Sequence, residues 1–259
     1  MNKLIKVNLK LMLHRKGTLL CLAGALFLAF FVTVSDYQTE ELNWFTMFSG
    51  PVMLVICFSA VGGIFINRDY TQNTIRNKLS VGHKRINIYL ANQISQIIFF
   101  CVTMILYLAV SCILTAAFIG TKNAVASDIL GNTAVCLVAC IALSALTTFI
   151  SMTIQSAAGG ILPLFIMYPL LMFSVLVDEL DIKWMKTVSE FIPICQLTRL
   201  FAPDQLACRH IIFSIIFTLF FVMTGAVIFC KSDLKQSYRR EKWFIVCCYC
   251  QQLLSYCSA

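Results

Sequence analysis

One passage rich in side chains able to carry charge, NRDYTQNTIRNKLSVGHKRINIYL at 67–90, is set between two long apolar stretches. It holds Asp69, His83 and the cations Arg68, Arg76, Lys78, Lys84 and Arg85. A loop that only returned the chain to a membrane would need a handful of residues, so the extra length predicts a docking element. Asp69 is placed to cap a short helix over 70–80, with Ile75 and Leu79 on one face, Arg76 and Lys78 displayed elsewhere, and Gly82 ending it in a left-handed conformation. Lys84 and Arg85 then mark the return to the membrane. Such a helix suits a groove on another protein; the competing reading is an amphipathic segment resting on anionic headgroups.

Covalent chemistry has no foothold in the apolar stretches. They contain no Asp, Glu, Lys, Arg or His, the groups with which an ion-driven carrier binds and releases its ion. H-E-x-x-H and G-x-S-x-G are both missing, which argues against an intramembrane hydrolase. No G-x-x-x-x-G-K-[ST] occurs, and Gly62-Gly63 and Gly159-Gly160 lack the Lys-Ser or Lys-Thr that would hold phosphate and magnesium. The chain therefore reads as no enzyme, with no cofactor or metal bound directly. Of its 13 cysteines, seven fall within the apolar runs, where a thiol is a small apolar residue. Cys195 and Cys208 share one side, as a pair or as free thiols, and the tail cluster Cys247, Cys248, Cys250 and Cys257 lacks metal-site spacing.

The elements that position these residues follow from composition. With 59% hydrophobic residues, 12% charged and a mean hydropathy of +0.84, the chain is too apolar for a soluble globular domain. Runs long enough to cross about 30 Å of hydrocarbon fall near 18–34, 48–66, 94–119, 129–154, 161–177 and 211–230. The third continues a helical pattern back to about Ile86, more than one crossing needs. Ahead of the first, residues 1–17 read as a helix in the membrane interface, with Lys3, Lys6, Lys10 and His14 along one stripe. No small-x-small cleavage pattern follows Val34, so the first run is expected to stay as a helix. Residues 178–209 carry Phe191, Ile192, Ile194, Leu197, Leu200 and Phe201, too few for a crossing, and predict short helices dipping into the leaflet or capping it. The fold class is an all-α membrane protein: six transmembrane helices (18–230), an N-terminal interfacial helix, membrane-dipping outer helices before the last span, and a tail at 231–259.

Six spans place the N-terminal segment, the 67–93 loop, the 155–160 turn and the tail on one side, with fifteen Lys or Arg against three acids. The opposite side holds five cations and nine acids. By the positive-inside rule both termini are cytoplasmic. The net charge of +8 is thus a topology signal, and nucleic acid is not an expected partner. Two stripes of weakly polar residues run inside the spans: Asn92, Gln96, Thr103, Tyr107 and Ser111, then Ser144, Thr148, Ser151 and Gln155. Helix packing is the first reading of such stripes and a substrate conduit the second. Pro51, Pro163 and Pro169 lie within spans and predict kinks or interrupted hydrogen bonding.

The 67–90 passage also resembles the loop between the second and third spans of permease subunits of the second export-type family of ATP-binding-cassette (ABC) transporters. Asp69-Tyr70, Thr74-Ile75-Arg76-Asn77, Leu79, Gly82, Arg85 and Tyr89 fill that pattern; Asn73 stands where glycine is usual and Lys84 where a small polar residue is usual. Phe229 to Lys235, FCKSDLK, resembles the way the family leaves its last span, whereas the Cys-rich end of the tail does not. The resemblance implies a homo- or heterodimer of such subunits in the cytoplasmic (inner) membrane of a bacterium. It further implies a cytoplasmic ABC ATPase, carrying ATP and magnesium, that grips the 69–80 segment as a cytoplasmic coupling helix, with Ile75 and Leu79 as plug, Arg76 and Arg85 as anchors and Asp69 as cap. The expected function is export of a peptide, lipid or drug-like substrate. A six-span substrate-binding subunit of an importer, or a non-transporting immunity or sensor protein, is the alternative.

Overall fold

The computed structural model describes residues 2–14, 16–38, 44–119, 126–155, 158–180, 182–201 and 208–232. The tail beyond 232, with its cysteine cluster, lies outside them. The described residues form ten α-helices and no strand: α1 (Asn2–Leu13), α2 (Lys16–Gln38), α3 (Gly50–Thr71), α4 (Thr74–Ser80), α5 (Arg85–Ile119), α6 (Ala126–Thr153), α7 (Ala158–Leu180), α8 (Lys183–Phe191), α9 (Pro193–Thr198) and α10 (Cys208–Lys231). A 3₁₀ turn, Thr46–Phe48, precedes α3, and another, Arg199–Phe201, follows α9. Six of the helices, α2, α3, α5, α6, α7 and α10, are long and apolar enough to cross a membrane. Four of them contain the predicted runs whole, while α3 begins two residues into 48–66 and α6 ends one residue short of 154; α2 and α7, predicted near the lower limit of length, extend to 23 residues each. The predicted backward extension of the third span begins at Arg85.

Helix α6 is the hub, packing on α3, α5, α7, α9 and α10. Water cannot drive apolar helices together inside lipid, so close approach does the work. One such contact, backbone against backbone, joins α3 to α7. A Cβ added to Gly63 would collide with the carbonyl oxygen of Gly160 and come within 3.2 Å of Pro163 Cγ, and one added to Gly160 would lie 3.1 Å from Asn67. Phe58 on α3 meets Phe99 and Phe100 on α5 edge-on, with centroids 5.7 and 5.5 Å apart. Helix α7 runs through both Pro163 and Pro169. Each proline removes the N–H that would have bonded the carbonyl four residues earlier.

The short helices before α10 form a buried clasp. Pro193 to Leu197 are all buried, and Gln196 ties them in both directions, donating to Glu190 O at 2.7 Å and accepting from Ser214 Oγ at 2.7 Å. Ser174 on α7 pairs with Thr198, and Arg209 closes the loop on Glu190 at 2.7 Å. Cys195 is a free thiol inside this clasp, and burial pushes it up to about 11, opposed by the hydroxyl of Ser174. The side chain of Cys208, its suggested partner, lies outside the description.

The glycine contact sets a test. Gly63→Leu is expected to cost about 1–3 kcal/mol through overpacking, read as a fall in the thermal unfolding midpoint of the detergent-purified chain. Gly17→Leu, at a position where an added Cβ meets nothing within 4 Å, serves as the control and should leave that midpoint unchanged.

Candidate functional site

Seven residues of helix are too few to stand alone in water, since nucleation costs more than so short a run returns. Helix α4 persists because its ends are fixed locally and its inner face is fixed by the bundle. Asn73, at its N-terminal boundary, sits in left-handed backbone with φ 54°, the only non-glycine residue among those described to do so. Asparagine is among the few L-residues that tolerate this region, which accounts for its presence where the family resemblance expects glycine. At the other end Gly82 adopts φ 93°. Its N–H bonds Leu79 O at 2.9 Å and the His83 N–H bonds Lys78 O at 3.2 Å, the paired bonds of a Schellman stop.

The inner fixings form a closed ring of polar contacts. Lys78 Nζ on α4 lies 2.8 Å from Asp69 Oδ2 on α3, with both side chains almost entirely out of solvent. The same ammonium donates to Asn8 Oδ1 on α1 at 3.1 Å. Asn8 Nδ2 donates onward to Asn92 Oδ1 on α5 at 2.6 Å. Asn92 Nδ2 approaches Met152 Sδ on α6 at 3.6 Å, and Tyr70 OH, next to Asp69 in sequence, donates to Met152 O at 2.9 Å. Five helices meet in this ring. A buried ion pair survives only where its remaining donors and acceptors are also satisfied, and Asn8 meets that need for Lys78.

Several expectations change here. Asp69 does not cap the short helix, because α3 continues through Thr71 and carries Asp69 within it; its carboxylate serves Lys78 instead. Ile75 is 1% exposed and belongs to the apolar core, so it is no displayed plug. Leu79 is partly buried against the same core. Lys78, expected on the surface, is drawn inward by Asp69. Arg85 turns away from α4 and donates to Cys230 O and Ser232 O at the end of α10, at 3.2 and 2.5 Å, where a cation suits the negative end of the helix. Tyr89 also addresses α10, its hydroxyl filling the notch left by Gly225. What α4 turns outward is polar: Arg76, Asn77 and Ser80, with Thr74 half-buried, followed by Val81 at 77% exposure.

Eight of the nine stripe residues are buried, Asn92, Gln96, Thr103, Tyr107 and Ser111 on α5 and Ser144, Thr148 and Ser151 on α6, while Gln155, just past α6, is half-buried. They are not one hydrogen-bonded set. Thr103, Ser144 and Thr148 turn back onto carbonyls of their own helices, a bond that adds nothing between helices. Gln96 alone of these reaches α3, donating to Gly62 O at 3.0 Å, and Ser144 accepts from Gln93 at 3.4 Å. Asn8 and Met152 escaped the sequence reading. The legible signal for Asn8 was its place between Leu4 and Met12 at four-residue spacing, the buried face of α1.

Two substitutions test the ring. Lys78→Met alone strands the Asp69 carboxylate and is expected to cost about 3–5 kcal/mol, whereas Lys78→Met with Asp69→Asn recovers most of it; unfolding midpoints of the single and double variants give the comparison. Asn73→Gly is expected to hold or raise that midpoint, and Asn73→Val to lower it by about 1–2 kcal/mol.

No family model matches the chain, and no curated protein matches it either.

Proposed function

We propose that the chain is the membrane-spanning subunit of an ATP-driven ABC exporter, with α4 as the coupling helix on which a separate cytoplasmic ATPase acts. The observation that carries this reading is the ring: a short helix with a polar outer face is joined by its inner face to α1, α3, α5 and α6. A loop that merely reversed the chain would need no such fastening. Force applied to α4 would reach α3 through Asp69 and α5 through Asn8 and Asn92, and the hub helix α6 would feel it at Met152. The residues of the resemblance fall into two classes on this reading. Asp69, Tyr70, Ile75, Arg85 and Tyr89 are fastenings that face inward, and Arg76 and Asn77, with Val81 from outside the pattern, form the surface offered to the ATPase.

In this arrangement the chain performs no covalent step; ATP and magnesium belong to the partner. A second copy or a related permease completes the transporter. The protein sits in the inner membrane of a bacterium with both ends cytoplasmic, α1 lying in the interface with Val7 and Leu11 toward lipid and Lys3, Lys6 and Lys10 toward headgroups and water. At the opposite face α8 presents Trp184, Val188 and Phe191, exposed at i, i+4 and i+7 spacing, to the outer leaflet, and α9 dips beneath it. The importer and sensor alternatives give no reason for so firmly held an α4.

The test targets the outer face. Val81→Asp combined with Arg76→Glu should cut co-purification of the ATPase encoded with this chain by about tenfold or more, equivalent to about 1.4 kcal/mol or more of binding, while membrane insertion and the unfolding midpoint stay as in the parent. Retention of the ATPase at parental levels would defeat the proposal. Ile75→Asp is the contrasting case: it should lower the unfolding midpoint itself, because that side chain is already inside the chain.

A further inference from the structure

A second polar feature lies at the other end of α5, away from α4. Along that helix Asn92, Gln96, Thr103, Tyr107, Ser111 and Thr115 share one face, all buried, within about 140° of arc and over about 34 Å of helix. Farther along α5 the hydroxyls of Tyr107, Ser111 and Thr115, and ahead of α3 the Ser49 hydroxyl and the Trp44 indole N–H, are all shut off from solvent and lack a hydrogen-bond partner. The Tyr107 hydroxyl sits in the notch left by the missing side chain of Gly50, beside Ser49. It comes near Ser111 and the Gly50 backbone, but no hydrogen bond of good geometry closes. The 3₁₀ turn packs on α5.

Buried polar groups in native proteins are hydrogen-bonded, to protein or to held water, nearly without exception. Threonine and serine in a helix ordinarily turn back to the carbonyl four residues earlier, as Thr103, Thr147 and Thr148 do here. Ser111 and Thr115 make no such bond. A row of stranded donors in a membrane-spanning helix is the mark of groups whose partner arrives from outside the chain. We propose that the seam between α5 and the start of α3 is a binding site for uncharged hydrogen-bonding groups: water, or the hydroxyl and amide groups of a small solute. Tyr107 and Ser111, beside Gly50 and its chain neighbour Ser49, are neutral and rich in donors. The acid that bears on it, Asp36 on α2, is already engaged in an interaction of its own. The site therefore selects for acceptor oxygens without charge. This proposal stands apart from the export reading, since it concerns the opposite end of the bundle and needs no ATPase.

The experiment is hydroxyl-radical footprinting of the full purified chain, read by mass spectrometry at Tyr107 and Trp44 with the exposed Tyr37 as reference, alongside unfolding midpoints of Tyr107→Phe and Thr115→Val and native mass spectrometry of the parent. Labelling of Tyr107 at a rate comparable with Tyr37 supports the site with water as its occupant. Protection of Tyr107, together with a non-lipid adduct on the parent that Tyr107→Phe loses, supports it with a solute as occupant. Protection without an adduct, with Tyr107→Phe and Thr115→Val each raising the midpoint by about 2–4 °C, overturns it, because that is the response of a dry seam relieved of stranded hydroxyls.

Discussion

The contact between Lys78 and Asp69 is the constraint on which the α4 end of this molecule depends. Two opposite charges are brought almost completely out of water at 2.8 Å, an arrangement that gains little net stability over an apolar pair but is costly to break. That asymmetry gives a contact its specificity. Once the carboxylate is committed to α3, the ammonium has one place to go, and α4 must lie where Lys78 can reach it. Asn8 then draws α1 onto the same point, accepting from Lys78 and donating to Asn92. A helix as short as α4 and an N-terminal helix with a polar outer stripe would each be marginal alone. They are ordered here by sharing one buried ion pair.

Rigidity of a different kind holds the spans. The α3–α7 crossing at Gly63 and Gly160 leaves no room for a side chain, and α6 touches most of the other long helices. The C-terminal end of α10 is gathered in by Arg85 and by Gln155, which donates to Ser232 Oγ at 2.8 Å. Arg85 begins α5 just after the Gly82 turn. The passage that carries α4 is thus bound on one side to α1, α3 and α6 and on the other to the last span. Displacing it without moving the bundle would require breaking buried polar contacts, each of which strands a partner.

The six long helices were legible because crossing hydrocarbon demands about 20 apolar residues in a row, a signal that survives ignorance of every neighbour. The end of α4 was legible for a similarly local reason: Gly82 supplies a left-handed stop whatever packs around it. The face of α4 was not. Sequence alone puts cations in water and lets an Ile/Leu edge serve a partner, yet Ile75 is spent on the chain's own core and Lys78 on Asp69. That inversion is a tertiary fact, fixed by where α1 and α5 lie. Asn8 was missed for the same reason, since a lone amide in a basic segment gives no sign that it will face another amide 84 residues away. The polar stripe on α5 was visible as a periodicity, but its division into satisfied and stranded hydroxyls depends on rotamers that no spacing encodes.

The two polar features lie on one rod. Asn92 belongs to the ring and Thr115 to the stranded set, and both are carried by α5, a single helix of 35 residues. Long helices curve gently unless a proline or a bulge interrupts them, and α5 contains no proline. Asn92 and the set Tyr107, Ser111 and Thr115 are therefore held in a fixed angular relation by one continuous helix. At Tyr107 the hydroxyl rests in the Gly50 notch, so a small rotation there changes which groups on α3 it faces. Charge at one end of the rod and neutral hydrogen-bonding groups at the other divide the labour physically. The ion pair fixes position because breaking it strands a charge, whereas the uncharged hydroxyls at the other end hold no bond within the chain that a shift would break.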